Sequence, residues 1–256
     1  MARLTLRQDA YGAAVYDCFH GYGGFEIVER DDGYFAPSSG PRAYLAPFKE
    51  WPRHQRQAIR LARGRVLDVG CGAGRVALHL QQKGLDAVGI DISPLAIRVC
   101  RERGLRQARV MPIADVGPRL GTFDTIVMYG NGFGLLGSLR QARRLLRRFH
   151  GMTGPAGRII AECNDPALRR HRRAINPRAL ACHLACHRLN VRRGRMPGQL
   201  WIRIRYMNHV TPYFDYLLVS KRQMRQVLAG TGWRIDRFFD SEGSPFIAVL
   251  EKERLP

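Results

Sequence analysis

Between residues 64 and 164 the apolar positions alternate between two rhythms. Val66, Leu67 and Val69 form a short apolar run, the signature of a strand buried on both faces. In Arg75–Gln82 the apolar residues return at helical spacing. The cycle then repeats. Ala87–Ile92 reads as a second strand, and 94–103 as a helix with Ser93 as its cap and Pro94 at its first position. Met111–Asp115 closes an apolar run with an acid. Phe123–Met128 reads as a fourth strand, 137–150 as a helix, and 157–164 as a fifth strand. Strands and helices in strict alternation require a parallel, doubly wound α/β sheet.

The flanks follow other patterns. Tyr11, Val15, Tyr16 and Phe19 are spaced for one face of a short helix over 9–20. Residues 25–30 alternate like a strand, 37–41 read as loop, and 51–62 as a helix. After the fifth strand, 177–190 reads as a helix. Residues 199–208 then alternate as a long strand, with Leu200, Ile202 and Ile204 opposed to Arg203 and Arg205. Residues 213–219 either pair with that strand or lead onward. Ser220 caps a helix over 221–229, and 233–239 and 246–251 read as two final strands. The expected organisation is an N-terminal cap over 1–63 and a main domain over 64–256, the latter interrupted by a cap insertion over 165–212.

The candidate chemistry sits at the ends of the core strands. Val69 is followed by glycines at 70, 72 and 74, which let the backbone turn sharply and approach a ligand. A strand, a glycine turn and a helix start together present amide N–H groups to an anion. A nicotinamide dinucleotide needs G-x-G-x-x-G. Starting that frame at Gly70 puts Arg75 in place of the third glycine. The chain instead reads D-x-G-x-G-x-G, with Asp68 two residues before Gly70. A second acid, Asp91, ends the second strand 17 residues past Gly74, near the spacing of an acid that binds ribose hydroxyls.

This order of motifs, over residues 60 to 165, resembles that of the class I S-adenosylmethionine-dependent methyltransferases. The resemblance implies a seven-stranded, mostly parallel Rossmann-like sheet whose last two strands form an antiparallel hairpin at one edge. It implies S-adenosylmethionine as cofactor, with Gly70, Cys71, Gly72 and Gly74 around its methionine part. Asp68 would hold the amino group and Asp91 the ribose, with Ile92 beside it. Ala114 and Asp115 would hold the adenine, and Tyr129 and Gly130 would pass next to the sulfonium. Tyr11, Tyr16 and His20 are candidates for the surface of an N-terminal cap. Asn131, Arg203 and Arg205 are further candidates for acceptor binding. His20, Tyr129 and His209 are candidate bases, needed only if the nucleophile carries a proton that must leave early.

The formal net charge is +21, and 38 of the 42 basic residues are arginine. Such a skew is typical of a GC-rich coding sequence, yet seventeen arginines fall between 139 and 210 against Glu162 and Asp165 alone. Two readings of the acceptor follow. A small molecule enclosed by the cap and the insertion is the leading one. An RNA gripped by the arginines of 140–195 is the second. The stretch Tyr129-Gly130-Asn131-Gly132 is not the Asn/Asp-Pro-Pro-aromatic motif with which enzymes of this fold methylate base amines, which lowers the second reading. A cofactor-binding protein without catalysis is a third. No run of 18 apolar residues occurs, and the N-terminus lacks an apolar signal core, so a cytoplasmic protein without a membrane span is expected. Cys182, His183, Cys186 and His187 share helical faces but have no second ligand pair, so a packed helix face is expected rather than a metal site.

Overall fold

The computed structural model describes residues 4–38, 40–166 and 176–253. In chain order the elements are α1 (Ala10–Phe19), β1 (Ile27–Arg30), β2 (Phe35–Pro37), α2 (Pro41–Leu45), α3 (Arg53–Ile59), β3 (Arg65–Val69), α4 (Arg75–Gln82), β4 (Asp86–Asp91) and α5 (Pro94–Glu102). There follow β5 (Gln107–Val110), β6 (Phe123–Met128), α6 (Leu139–Gly151), β7 (Thr153–Asn164), α7 (Pro177–Arg192), β8 (Gln199–Tyr206), β9 (His209–Val210), β10 (Phe214–Leu217), α8 (Lys221–Leu228), β11 (Trp233–Asp240) and β12 (Pro245–Lys252).

The large sheet has seven strands in the order β11-β12-β7-β6-β3-β4-β5. The pairs from β7 through β5 are parallel, and β12 is antiparallel to both β7 and β11. Its apolar residues are buried on both faces. One core gathers Leu67, Ile90, Ile126, Leu145, Leu146, Phe149 and Trp233, and the other Val66, Val76, Ala77, Val127 and Ile160. Three of the helices, α5, α6 and α8, start where a serine caps them. Ser93, Ser138 and Ser220 accept the amide N–H groups of Ala96, Gln141 and Gln223, and Gln223 returns the bond to Ser220.

The flanking segments combine in a way the linear pattern did not disclose. The strand expected at 25–30 and the one at 199–208 are neighbours. They belong to a second, five-stranded sheet of order β10-β8-β1-β2, with β9 beside β8. Ile27 stands opposite Arg205, Val28 opposite Ile204, and Glu29 opposite Arg203. Residues 35–37, where no strand was expected and which overlap the loop expected over 37–41 only at Pro37, form the edge strand β2. Alternation sends Val28, Arg30, Leu200, Ile202 and Ile204 to one face, where they line a cavity. Glu29, Trp201, Arg203 and Arg205 go to the other face. The arginine-biased run at 167–175 lies outside the described residues. Among the described residues no helix is long and apolar enough to cross a membrane.

Helix α1 is fixed by one buried carboxylate. Asp9 accepts the N–H of Gly12 at 3.0 Å and so caps α1. Its other oxygen accepts Ser93 Oγ and the N–H of Leu95, each at 2.9 Å, in the first turn of α5. Replacing Asp9 by Ala removes a cap and the bonds to α5. It is expected to cost about 2 kcal/mol, read by urea denaturation, with early loss of amide-exchange protection over residues 10–19.

Candidate functional site

The cavity occupies about 520 Å³ between the carboxyl ends of the parallel strands and the inner face of the five-stranded sheet. Ligands of open α/β sheets bind at this place. One wall is the turn after β3. Gly70, Gly72 and Gly74 all adopt positive φ, at 71°, 53° and 77°. At Gly72 a side chain has no room in any case, because a Cβ would lie 2.2 Å from the Tyr11 hydroxyl. Gly74 faces away from the cavity, toward Cys100, Leu105 and Leu78.

Two acids frame this turn. Asp68 is buried and accepts the N–H of Ala77 at 3.0 Å, in the first turn of α4, whose capping residue Gly74 has no side chain to do so. Burial pushes its carboxyl up to about 7, against the pull of that N–H and of Arg75. Asp91, at the end of β4, accepts Gly72 N–H and Ser93 N–H, each at 2.9 Å, one on each oxygen. Burial raises it to about 6, opposed by those two N–H groups and reinforced by Asp9. A carboxylate has lone pairs left after two such bonds.

The opposite wall is the turn after β6. Gly130 and Asn131 have φ of 63° and 62°, and the Gly130 N–H donates to Glu162 Oε2 at 2.7 Å. Asn131 Oδ1 accepts the N–H of Asn164 at 2.8 Å, and its carbonyl accepts the Tyr216 hydroxyl at 2.8 Å. Glu162, on β7, is 3% exposed and also takes His54 Nε2 at 3.0 Å and Gln55 Nε2 at 2.8 Å. Burial raises its carboxyl, but the donors from His54, Gln55 and Gly130 outweigh this and hold it below the usual range. Arg75 donates to Gln55 Oε1 at 3.1 Å and stacks on Trp51. The Tyr129 hydroxyl donates to the Gln55 carbonyl at 3.2 Å, and burial raises its pKa well above the ordinary value.

Of the residues singled out in the sequence, the structure gathers Tyr11, Asp68, Gly70, Cys71, Gly72, Asp91, Ile92, Tyr129, Gly130 and Asn131 around this cavity. Others do not line it. Ala114 and Asp115 sit in a short turn whose carbonyl at 114 accepts Arg148. Tyr16 and His20 stack on each other, and His20 pairs with Glu102 at 3.2 Å. His209 contacts the Leu6 carbonyl. Arg203 and Arg205 stand on the outer face of β8 and both pair with Glu29, whose carboxyl they hold at about 2. Both guanidinium groups turn to the acid opposite them on β1, so they do not reach the cavity. His183 lines the cavity and meets Arg30 at 2.8 Å, with its pKa lowered by burial and by that guanidinium. Among the described residues no group of three or more His, Cys, Asp or Glu could hold a metal.

Several lining residues were not singled out. Arg75 stands out only as the residue after the third glycine, and Glu162, which holds the turn after β6 without lining the cavity, only as an acid near the end of an apolar strand. Glu26, Arg30 and Tyr44 carry no local signal, because pairing of distant strands brings them in.

A strand–glycine turn–helix with acids at 68 and 91, on a sheet of this order, defines a class I S-adenosylmethionine-dependent methyltransferase fold. Comparison with known proteins agrees. A family model described as a methyltransferase domain matches residues 66–157. A crystal structure of a SAM-dependent methyltransferase from Bacteroides fragilis, in complex with S-adenosyl-L-homocysteine, is 25% identical with a TM-score of 0.79, covering 98% of each chain. The magnesium-protoporphyrin O-methyltransferase of Rhodobacter capsulatus is 39% identical over 67 residues, 25% of this chain and 30% of that protein. A ubiquinone biosynthesis O-methyltransferase of Xanthomonas oryzae is 35% identical over 74 residues, 27% and 31% of the two chains. The match thus spans about a third of the length of these curated relatives. The chain thus has the fold of the class I S-adenosylmethionine-dependent methyltransferases, and its residues 66–157 match a methyltransferase domain.

Glu162→Ala strands the donors of His54, Gln55 and Gly130 in a buried place. It is expected to destabilise the protein by about 3 kcal/mol, measured by urea unfolding monitored through tryptophan fluorescence.

Proposed function

We propose that this chain binds S-adenosylmethionine on the turn after β3 and methylates a small-molecule acceptor held under the five-stranded sheet. The observation that carries the reading is the cavity itself, which has the cofactor-type turn on one side and an apolar sheet face on the other. The donor set fits the cofactor. Asp91 has lone pairs for two ribose hydroxyls, Asp68 suits an ammonium, and the bare Gly72 admits a ligand close to the backbone.

Bound there, the cofactor supplies an electrophilic methyl group on a sulfonium with a good leaving group. The protein then mainly has to align the acceptor and exclude water. The turn at Gly130 and Asn131, fixed by Glu162, forms the rigid edge of that cleft. The inner face of β1, β8 and β10 supplies the dry wall. No base is assigned, because His20 and His209 lie outside the cavity and the Tyr129 hydroxyl is raised and spent on a carbonyl.

The acceptors that the relatives' names imply, a magnesium-protoporphyrin and a ubiquinone precursor, support a small-molecule substrate. The arginines do not favour RNA. On α6, Arg143, Arg147 and Arg148 donate to the protein's own carbonyls, at Gln226, Gly230, Ala114 and Val116. Arg203 and Arg205 are taken by Glu29.

Calorimetry should detect S-adenosylmethionine binding to the wild type, and Asp91→Ala should weaken it at least a hundredfold. The affinity should also depend on pH. Asp91 is raised to about 6 in the free protein and must be ionised to accept two hydroxyls, so binding requires loss of its proton. Asp68, raised to about 7, must likewise be ionised to hold an ammonium, so the dissociation constant should rise about tenfold per pH unit below pH 7, approach about a hundredfold per unit below pH 6, and flatten above pH 7. Calorimetry from pH 5 to 8 measures this, and a flat profile would speak against the assignment of Asp91.

A further inference from the structure

Although the chain is strongly basic, among the described residues its cavity is lined by the acids Asp9, Glu26, Asp68 and Asp91 against the arginines Arg30 and Arg75. Most of these charges are already committed. Asp9 is bonded by Gly12, Ser93 and Leu95. Arg30 is bonded through two of its nitrogens to Asp32, at 3.0 and 2.6 Å. Asp68 and Asp91 go to the cofactor in the reading above. Glu26 remains.

Glu26 immediately precedes β1, and its side chain lies on the cavity face with those of Val28 and Arg30, at the two-residue repeat of a strand. It is 1% exposed. Its Oε1 accepts Ser38 Oγ at 2.5 Å and the Tyr44 hydroxyl at 3.0 Å, while the Ser38 N–H donates to its carbonyl at 3.1 Å. The side chain is thus held in one orientation. Its Oε2 is buried and has no hydrogen-bond partner among the described residues. An unpaired buried carboxylate oxygen is costly, and a ligand that donates to it recovers that cost. The wall beside it is apolar, from Val28, Ile202, Ile204 and Phe214.

We infer that Glu26 is the specificity residue for the methyl acceptor, and that the acceptor is an apolar molecule bearing a protonated amine, which donates to Oε2. An amine satisfies both the orphan lone pairs and the excess negative charge of the cavity. A carboxylate or phosphate there would add like charge at low dielectric. The inference rests on the cofactor site proposed above.

The test loads wild type and Glu26→Gln with S-adenosylhomocysteine and titrates three probes of one shape by calorimetry: 2-phenylethylamine, 2-phenylethanol and 3-phenylpropionate. The wild type should bind the amine at least tenfold tighter than the alcohol, and the carboxylate weakest. Glu26→Gln should bind amine and alcohol equally while keeping the affinity for S-adenosylhomocysteine within twofold. A wild type without preference for the amine overturns the inference, whatever the variant does. So does a preference that survives in Glu26→Gln. A large loss of S-adenosylhomocysteine affinity in the variant would instead give Glu26 to the amino group of the cofactor. If the wild type does not bind S-adenosylhomocysteine, the methyltransferase reading fails first, and this inference falls with it.

Discussion

Two buried carboxylates meet the first turn of α5 from different sides, and the site depends on that junction. Asp91 takes the N–H of Ser93, and Asp9 takes its hydroxyl. The positive end of a helix makes such crowding tolerable, since exposed N–H groups there favour negative charge. The four partners come from four elements: the end of β4, the glycine turn through Gly72, the start of α5, and the cap of α1. One polar cluster therefore fixes the ligand-binding turn and the N-terminal segment to the same point. Asp91 remains raised because burial outweighs the two N–H groups bonded to it, and Asp9 adds to the shift.

Glu162 plays the matching part on the other side of the crevice. It holds the turn after β6 by backbone N–H groups, and it anchors His54 and Gln55 from the segment before β3. Both walls are thus built from carboxylates bonded to main-chain amides. Such bonds are short and directional. They leave the backbone around Gly72 and Gly130 in left-handed conformations, which glycine adopts without steric cost.

What the sequence disclosed follows from what is local. The strands, the helix caps at Ser93 and Ser220, and the run from Asp68 to Asp91 could be read because each depends on neighbours within about twenty residues. Arg203 and Arg205 show where this stops. Alternation put them together on one face of a strand, but which face met the cavity depended on Glu29, more than 170 residues earlier. Glu26 and Arg30 were invisible for the same reason. Ala114 and Asp115 followed the motif order, yet they lie in a turn that does not line the cavity.

The pairing of β1 with β8 has a further consequence. It joins residues near 28 to residues near 204, so the second sheet cannot close until most of the chain has left the ribosome. The central parallel strands from β3 to β7 are complete about forty residues sooner. During synthesis β1 can pair with β2, but its other edge must wait for β8, with its apolar face open to water and to other chains. The ion pairs of Glu29 with Arg203 and Arg205 then give the late partner a charge match at the register where it must dock.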